Sequence, residues 1–424
     1  MGRSPTATIR SQETCLSGIT TLFEAEREVP GIFTIGLQLP NTALEVHMNR
    51  LIIASASAVV LAAATTFSVS AFTPQTTAVT HAVAWLHTQQ GSDGTIAGDA
   101  SRTEETVWGL AANGMSVASL STNGKTTVDS LRSHIATEEK TAGNIGSLVL
   151  AVAAAGLDSR NFAGHDLLQD LQCTYDSSTG AYNTQLFNDA LAVLALPADA
   201  APTKAKQFLA SRQQTDGGWE FQAGFGSDTN TTALVLMALV SADGLDGATR
   251  EKALAYLKLH QKPSGGFEYA APFTPPGDSD PDSDAAVIEA LLATGQDPTG
   301  AAWSVGDKNA LSDLLSFQLT SGADKGAFSF TRPTDASPGS ADAFSTTQPL
   351  VALGSRYLPV HATTGTMPTT CPAAAPSTQP TPAPTPRPIV HLAQTGESRT
   401  PEEGVLLIAL VMLTLGWRLR RRAR

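Results

Sequence analysis

The sequence has little charge, few aromatics and little cysteine. Of its 424 residues, 16% are charged and 6% aromatic, and the only cysteines are Cys15, Cys173 and Cys371. Lys and Arg number 27 against 39 Asp and Glu, a formal net charge of −12. No basic surface follows from that balance, and nucleic acid is not an expected partner. The cysteines form no CxxC pair, which argues against a disulfide-stapled mini-domain and against a structural zinc site. Any core must come from the 42% of residues that are hydrophobic. Cys173 and Cys371 remain as the two thiols of an exported chain, and a bridge between them would tie its ring to its stalk.

Long apolar runs are also scarce, and they stand near the ends. Met48-Asn49-Arg50 precedes an apolar run from Leu51 to Val69, and the small residues Val69-Ser70-Ala71 come before Phe72. A basic start, an apolar centre and a small-residue cleavage site define residues 48–71 as a signal peptide. Residues 1–47, with Cys15, read as an upstream extension without a fold. At the far end an apolar segment, 404–417, is followed by Arg418-Leu419-Arg420-Arg421-Arg422. Its fourteen positions reach about 21 Å at helical rise, less than a hydrocarbon core, so a permanent span is the weaker of two readings. Before it, residues 361–391 are a Pro- and Thr-rich linker, extended at about 3.1 Å per residue.

Leu392, Ala393, Gln394, Thr395 and Gly396 stand ahead of the apolar segment and the arginines. This arrangement, 392–424, resembles a sortase sorting signal. Ala393 replaces the more usual Pro, a variant that one sortase class of high-GC Gram-positive bacteria prefers. The resemblance implies cleavage between Thr395 and Gly396 and transfer to a wall amine. It makes sortase and cell-wall peptidoglycan the partners, with the membrane holding the tail before processing, and places the exported chain on a bacterial surface.

Between these addresses the chain repeats. An amphipathic helix ends in Gln, a Gly-rich turn follows, and then usually an aromatic: Gln213, Gly217 and Trp219; Gln261, Gly266 and Phe267; Gln172 and Tyr182; Gln318 and Phe328. Gln90 opens an early copy with Ile96 in the aromatic's place, and Glu138-Glu139 marks a degenerate one demanded by the spacing. Each turn leads into a more apolar second helix: Glu104 to Asn113, Asn144 to Ala155, Phe187 to Leu196, Thr229 to Val240, Asp284 to Ala293 and Ala341 to Leu353. A helix apolar all round needs cover on every side, so the second helices form an inner ring and the first an outer one. An open solenoid is the alternative. The expected fold is all-α, an α/α toroid of six helix pairs over residues 76–360.

The Gln-x-x-x-Gly-x-Trp signature resembles the family of squalene cyclases, protein prenyltransferase β-subunits and cobalamin carriers. The resemblance implies the toroid and a bracing role for the motif, so Trp219, Phe267, Tyr182 and Phe328 are packing residues. It does not carry the chemistry over. The acids of Asp278 to Asp284 never stand two together as a cyclase's catalytic motif does, and they read as helix caps, with calcium as an alternative. Cys173 and His165 are placed on an outer helix, wrong for a catalytic zinc. No metal is assigned and the cofactor is unknown.

The inner helices direct their N-termini to one mouth, where the sequence places Glu105, Trp108, Phe187, Asp189, Asp228, Asp284, Asp342 and Phe344. Carboxylates beside aromatics suit sugars or a cofactor ring, although capping and packing account for each singly. Two function classes follow: a surface-displayed binding module for a small molecule, glycan or partner protein, and an extracellular polysaccharide lyase or hydrolase with Asp228 and Asp284 as its paired carboxylates, with an isoprenoid cyclase or transferase the weakest alternative.

Overall fold

The computed structural model describes residues 72–135, 141–182, 185–197, 199–269, 278–369 and 371. The upstream extension, the signal segment, the sorting signal with its apolar stretch, most of the linker and Glu138-Glu139 lie outside the described residues. No helix among the described residues is long and apolar enough to cross a membrane.

Among the described residues thirteen α-helices are ordered as six outer–inner pairs. The outer set is α1 (Thr76–Thr88), α3 (Thr127–His134), α5 (Leu167–Thr174), α7 (Thr203–Ser211), α9 (Gly247–Leu259) and α11 (Ala310–Leu315). The inner set is α2 (Ala100–Ala112), α4 (Ala142–Ala154), α6 (Leu186–Leu194), α8 (Thr229–Ser241), α10 (Pro281–Ala293), and α12 (Ala343–Thr347) with α13 (Pro349–Leu353). Gln348, between α12 and α13, keeps helical angles (φ −57°, ψ −45°), so these two continue one another across the N–H that Pro349 lacks. Three two-residue antiparallel ladders, β1–β2 (Ser121–Thr122 with Lys125–Thr126), β3–β4 (Trp219–Glu220 with Ser227–Asp228) and β5–β6 (Ser304–Val305 with Lys308–Asn309), tighten turns.

Burial separates the two sets as their patterns require. On α1 the buried residues are Ala78, Val79, Ala82, Val83, Trp85 and Leu86, a one-sided stripe at three- and four-residue spacing. On α8 ten consecutive-to-near-consecutive positions from Thr229 to Leu239 are buried, with Asn230 the one left partly open. Each inner helix packs on the next, α2 on α4, α4 on α6, α6 on α8, α8 on α10 and α10 on α13, and α13 returns to α2. That return closes the ring and sets the open solenoid aside. Asn113 Nδ2 donates to the Leu350 carbonyl at 2.8 Å across the inner seam. Outside, Trp85 Nε1 donates to Asp324 at 3.1 Å and Gln318 Nε2 to the Ala78 carbonyl at 2.9 Å.

The ring extends further than 360. Residues 361–369 and 371 were expected to open the linker, and instead they lie against the ring. Thr363 is buried, Met367 packs on the core, Arg160 donates to the Thr366 carbonyl, and a disulfide joins Cys371 to Cys173 on α5.

Candidate functional site

One end of the ring is a layer of turns whose polar groups are bound to backbone. Gln213 Nε2 donates to Gly217 O in its own turn and to Thr249 O on the next outer helix, both at 2.9 Å. Gln261 bridges Gly265 O and Trp303 O, Gln318 bridges Gly326 O and Ala78 O, and Gln90 bridges Gly94 O and Leu120 O. The glycine must lack a side chain: Gly217 has φ +95°, and an added Cβ would run into the Lys252 carbonyl of α9. In the fifth unit this role falls to Gly265 (φ +89°), one residue before Gly266, whose own missing Cβ makes room for Asp284 and Asp313. Gln172 makes no comparable bridge among the described residues; there Lys204 Nζ reaches the Ser177 carbonyl at 2.9 Å. Trp219, Phe267, Phe328 and Tyr182 are buried against the inner helices as packing residues.

A second regularity fixes the starts of the inner helices. Counting from the N-cap, position four accepts the backbone N–H of the turn's aromatic or its equivalent: Thr103 from Ile96, Asp189 from Tyr182, Thr232 from Trp219, Asp284 from Phe267 and Thr346 from Phe328. The N-caps are Asp99, Thr141, Gln185, Asp228, Asp280 and Asp342, of which Asp228 accepts from Thr231 N at 2.6 Å and Asp342 from Ser345 N at 2.9 Å. This places four of the expected mouth residues elsewhere. Asp189, Asp228, Asp284 and Asp342 are spent on backbone N–H groups and do not line the cavity, so Asp228 with Asp284 is not a pair facing a substrate. Within the run from Asp278 to Asp284, Asp280 caps α10 by accepting from Ser283 N at 2.8 Å, and Asp282 accepts from Ser345 Oγ at 3.1 Å. Among the described residues no three His, Cys, Asp or Glu are grouped to hold a metal ion.

The other four, Glu105, Trp108, Phe187 and Phe344, do meet in a cavity of about 170 Å3 along the axis of the inner ring. It is built in levels. Positions two and three supply the rim, including Arg102, Asn144, Phe187, Asn188, Asn230 and Phe344, joined by Phe221 and Tyr269 from loops. Position six supplies the waist from every inner helix: Glu105, Ser147, Leu191, Leu234, Ala286 and Gln348. Position nine supplies the floor with Trp108, Met237, Glu289 and Val351, and Leu358 from the chain after α13 closes it below. Seven residues at helical rise make the depth roughly 10 Å.

The cavity has two faces. Gln348, Glu105 and Ser147, from adjacent helices, give a polar arc, while Leu191, Leu234 and Ala286 opposite give an apolar one that Phe187, Phe221 and Met237 extend. On the polar side Arg102 Nη1 lies 3.0 Å from Glu105 Oε2, its guanidinium 4.2 Å from the centre of the Phe344 ring, and Thr347 Oγ1 donates to the same carboxylate. At the floor the Trp108 indole N–H is buried with no hydrogen-bond partner among the described residues. Glu289 is 6% exposed and accepts the backbone N–H of Leu358. Burial raises both carboxyl groups. For Glu105 the Arg102 charge opposes that rise; for Glu289 the neighbouring Glu105 charge adds to it and holds Glu289 well above the carboxylate range.

The sequence carried a signal for Glu289. It is an acid inside the apolar run Val287-Ile288-Glu289-Ala290-Leu291, a position that burial makes costly unless it is used.

No protein-family model matches the chain, and no curated protein does. Solved structures do. The type II terpene cyclase MstE from Scytonema in its apo form is 17% identical over 66% of this chain and 97% of its own, with a TM-score of 0.49. The ent-copalyl diphosphate synthase from Streptomyces platensis is 15% identical over 60% of this chain and 50% of its own, with a TM-score of 0.43. A wild-type glycosidase is 15% identical over 66% and 97%, also with a TM-score of 0.43. The chain is thus similar in fold class to terpene cyclases and glycosidases at a level that carries no argument about chemistry.

Proposed function

We propose that the ring is a sugar-binding module, exported and held at the cell surface by its C-terminal signal, whose axial cavity takes one sugar ring. The observation that carries this is the division of the waist into a polar arc (Gln348, Glu105, Ser147) and an apolar arc (Leu191, Leu234, Ala286). A pyranose has the same division, hydroxyls round its edge and C–H groups on its faces, and aromatic walls suit those faces. Size agrees. A cavity of about 150 Å3 takes a benzene ring, whereas larger ligands occupy sites of about 300–1,000 Å3, so 170 Å3 is short of a polyprenyl chain or a corrinoid. Trp108 offers at the floor an N–H donor that a sugar hydroxyl can take up.

Calorimetric titration with free hexoses and N-acetylhexosamines tests this. At least one is expected to bind saturably, and Trp108→Phe to weaken it about tenfold by removing one buried hydrogen bond without unfolding the ring. Absence of heat and of thermal shift for every sugar at high excess would overturn the reading.

One observation favours turnover as a second reading. Glu289 and Glu105, the latter paired with Arg102 at 3.0 Å, line the same cavity, and two carboxyl groups at one sugar are what glycoside hydrolysis uses. Release of nitrophenol from nitrophenyl glycosides of the bound sugar, lost in Glu289→Gln even at saturating glycoside, would support it. Binding without release by the wild type returns the protein to the binding class.

A further inference from the structure

We infer that the cavity holds the end of a longer glycan, with the adjoining sugar lying outside on Phe225; this rests on the sugar-binding reading. The apolar side of the cavity does not stop at the rim. Phe187 and Phe221 line it with ring centres 5.9 Å apart, and Phe225 follows 6.3 Å from Phe221, so three aromatics lead from the waist to solvent. Phe225 is 43% exposed. Exposed large apolar residues also occur elsewhere on the ring, at Leu259, Val305 and Tyr357, and single ones need no explanation. Phe225 differs in two respects.

The first is continuity with the cavity wall. The second is the way its loop is held. Between β3 and β4, Glu220 Oε2 accepts from the backbone N–H of Gly224 at 2.7 Å and of Gly226 at 3.3 Å, while Gln214 Nε2 donates to Oε1 at 3.2 Å. Phe225 N donates to the Gln222 carbonyl at 3.1 Å, and the Phe221 carbonyl accepts from Leu186 N at the start of α6 at 2.9 Å. The loop is therefore tied to the ring on both sides of the aromatic it presents. A platform fixed before the ligand arrives loses little conformational entropy on binding, which is what a stacking subsite requires. With a cavity that accepts a single ring, a second ring attached to the first emerges at the rim, where the Phe187–Phe221–Phe225 path lies.

The test is a pair of titrations on the full chain: the free sugar that fills the cavity, and the disaccharide and trisaccharide that end in it. The oligomers are expected to bind about tenfold tighter than the monomer, the worth of one stacked ring. Phe225→Ala should remove that gain and leave the monomer's Kd unchanged, and Phe225→Trp should keep or increase it. Phe225 is exposed, and equal melting temperatures of the variants provide the folding control. If the monomer binds and the oligomers bind no tighter, or if Phe225→Ala keeps the gain, the outer subsite is wrong and the cavity stands. If neither monomer nor oligomers bind, the sugar reading itself falls and takes the subsite with it.

Discussion

The turn layer and the axial cavity are built from the same inner helices, only a few residues apart, and they obey opposite rules. Position four is Thr or Asp in five of the units, Thr103, Asp189, Thr232, Asp284 and Thr346, and each accepts a backbone N–H. Position six is Glu105, Ser147, Leu191, Leu234, Ala286 and Gln348, with no two polar members alike, and all six face the cavity. Every unit must meet its neighbour in the same way for a ring to close, so positions serving closure repeat. Positions facing the axis have no such duty. In a ring made by repetition, a ligand site is to be sought where equivalent positions differ.

The comparison breaks most visibly at Trp219. It is fully buried, its Nε1 donates to Leu209 O at 2.8 Å, and its backbone N–H is the one Thr232 accepts. Trp219→Ala should cost about 3–5 kcal/mol in urea denaturation followed by circular dichroism. Sugar affinity of the protein that remains folded should be unchanged. A loss below about 1 kcal/mol would detach the turn aromatics from the core.

Asp228 comes next in size, and its effect depends on pH. Burial pushes this capping carboxyl up to about 7 against the donors of Thr231 and Asn230. A folded value raised above the unfolded one means that the stabilisation belongs to the neutral form: it is complete below about pH 4 and is lost as pH rises through about 7. Asp280, held at about 6 by the same cause, loses its contribution in an overlapping window. The ring should therefore be more stable at pH 5 than at pH 8. Asp228→Asn keeps an acceptor for Thr231 N–H and should recover about 1–3 kcal/mol at pH 8 with little change at pH 5. Equal urea midpoints for wild type and variant at pH 8 would show that the cap carries its charge without penalty.

The sequence revealed the ring more readily than the site for a reason contained in this contrast. The Gln213, Gly217 and Trp219 pattern recurs, so six units could be found by spacing even where one copy was degenerate, and the inner-helix limits differ from the expected ones by three or four residues at most. The caps recur too, as Asp99 with Thr103, Asp228 with Thr232, Asp280 with Asp284 and Asp342 with Thr346. Read as one series they would have shown that Asp228, Asp284 and Asp342 serve the turns. Glu105, Trp108, Phe187 and Phe344 were legible because charged and aromatic residues at a helix start stand out. Ser147, Leu191, Leu234 and Gln348 were not, since nothing in their type distinguishes the axial face of a helix that is buried all round. Their assignment needs the rotation of each helix, which closure of the whole ring decides. Cys173 and Cys371 are a third case: 198 residues apart in sequence, they are joined because the chain after α13 folds back along α5.

The sharpest effect on the comparison belongs to Glu289. If position nine serves a ligand, the ring tolerates a buried acid there that it does not need. Glu289→Gln preserves the size of the side chain and an acceptor for the Leu358 N–H, and removes only the ability to ionise. Because burial and the Glu105 charge raise this carboxyl, its neutral form stabilises the fold at low pH and the cost of ionising it appears as pH rises. The variant should match wild type at pH 5 and exceed it at pH 8, the gain expected when a functional group is traded for a structural fit. Sugar binding should weaken at both pH values, since a carboxamide presents its hydrogen-bond donors differently from a protonated acid. A Glu289→Gln ring less stable than wild type at both pH values, with binding intact, would place position nine among the residues that hold the ring together, and the separation between turn layer and cavity would end one level higher in the helix.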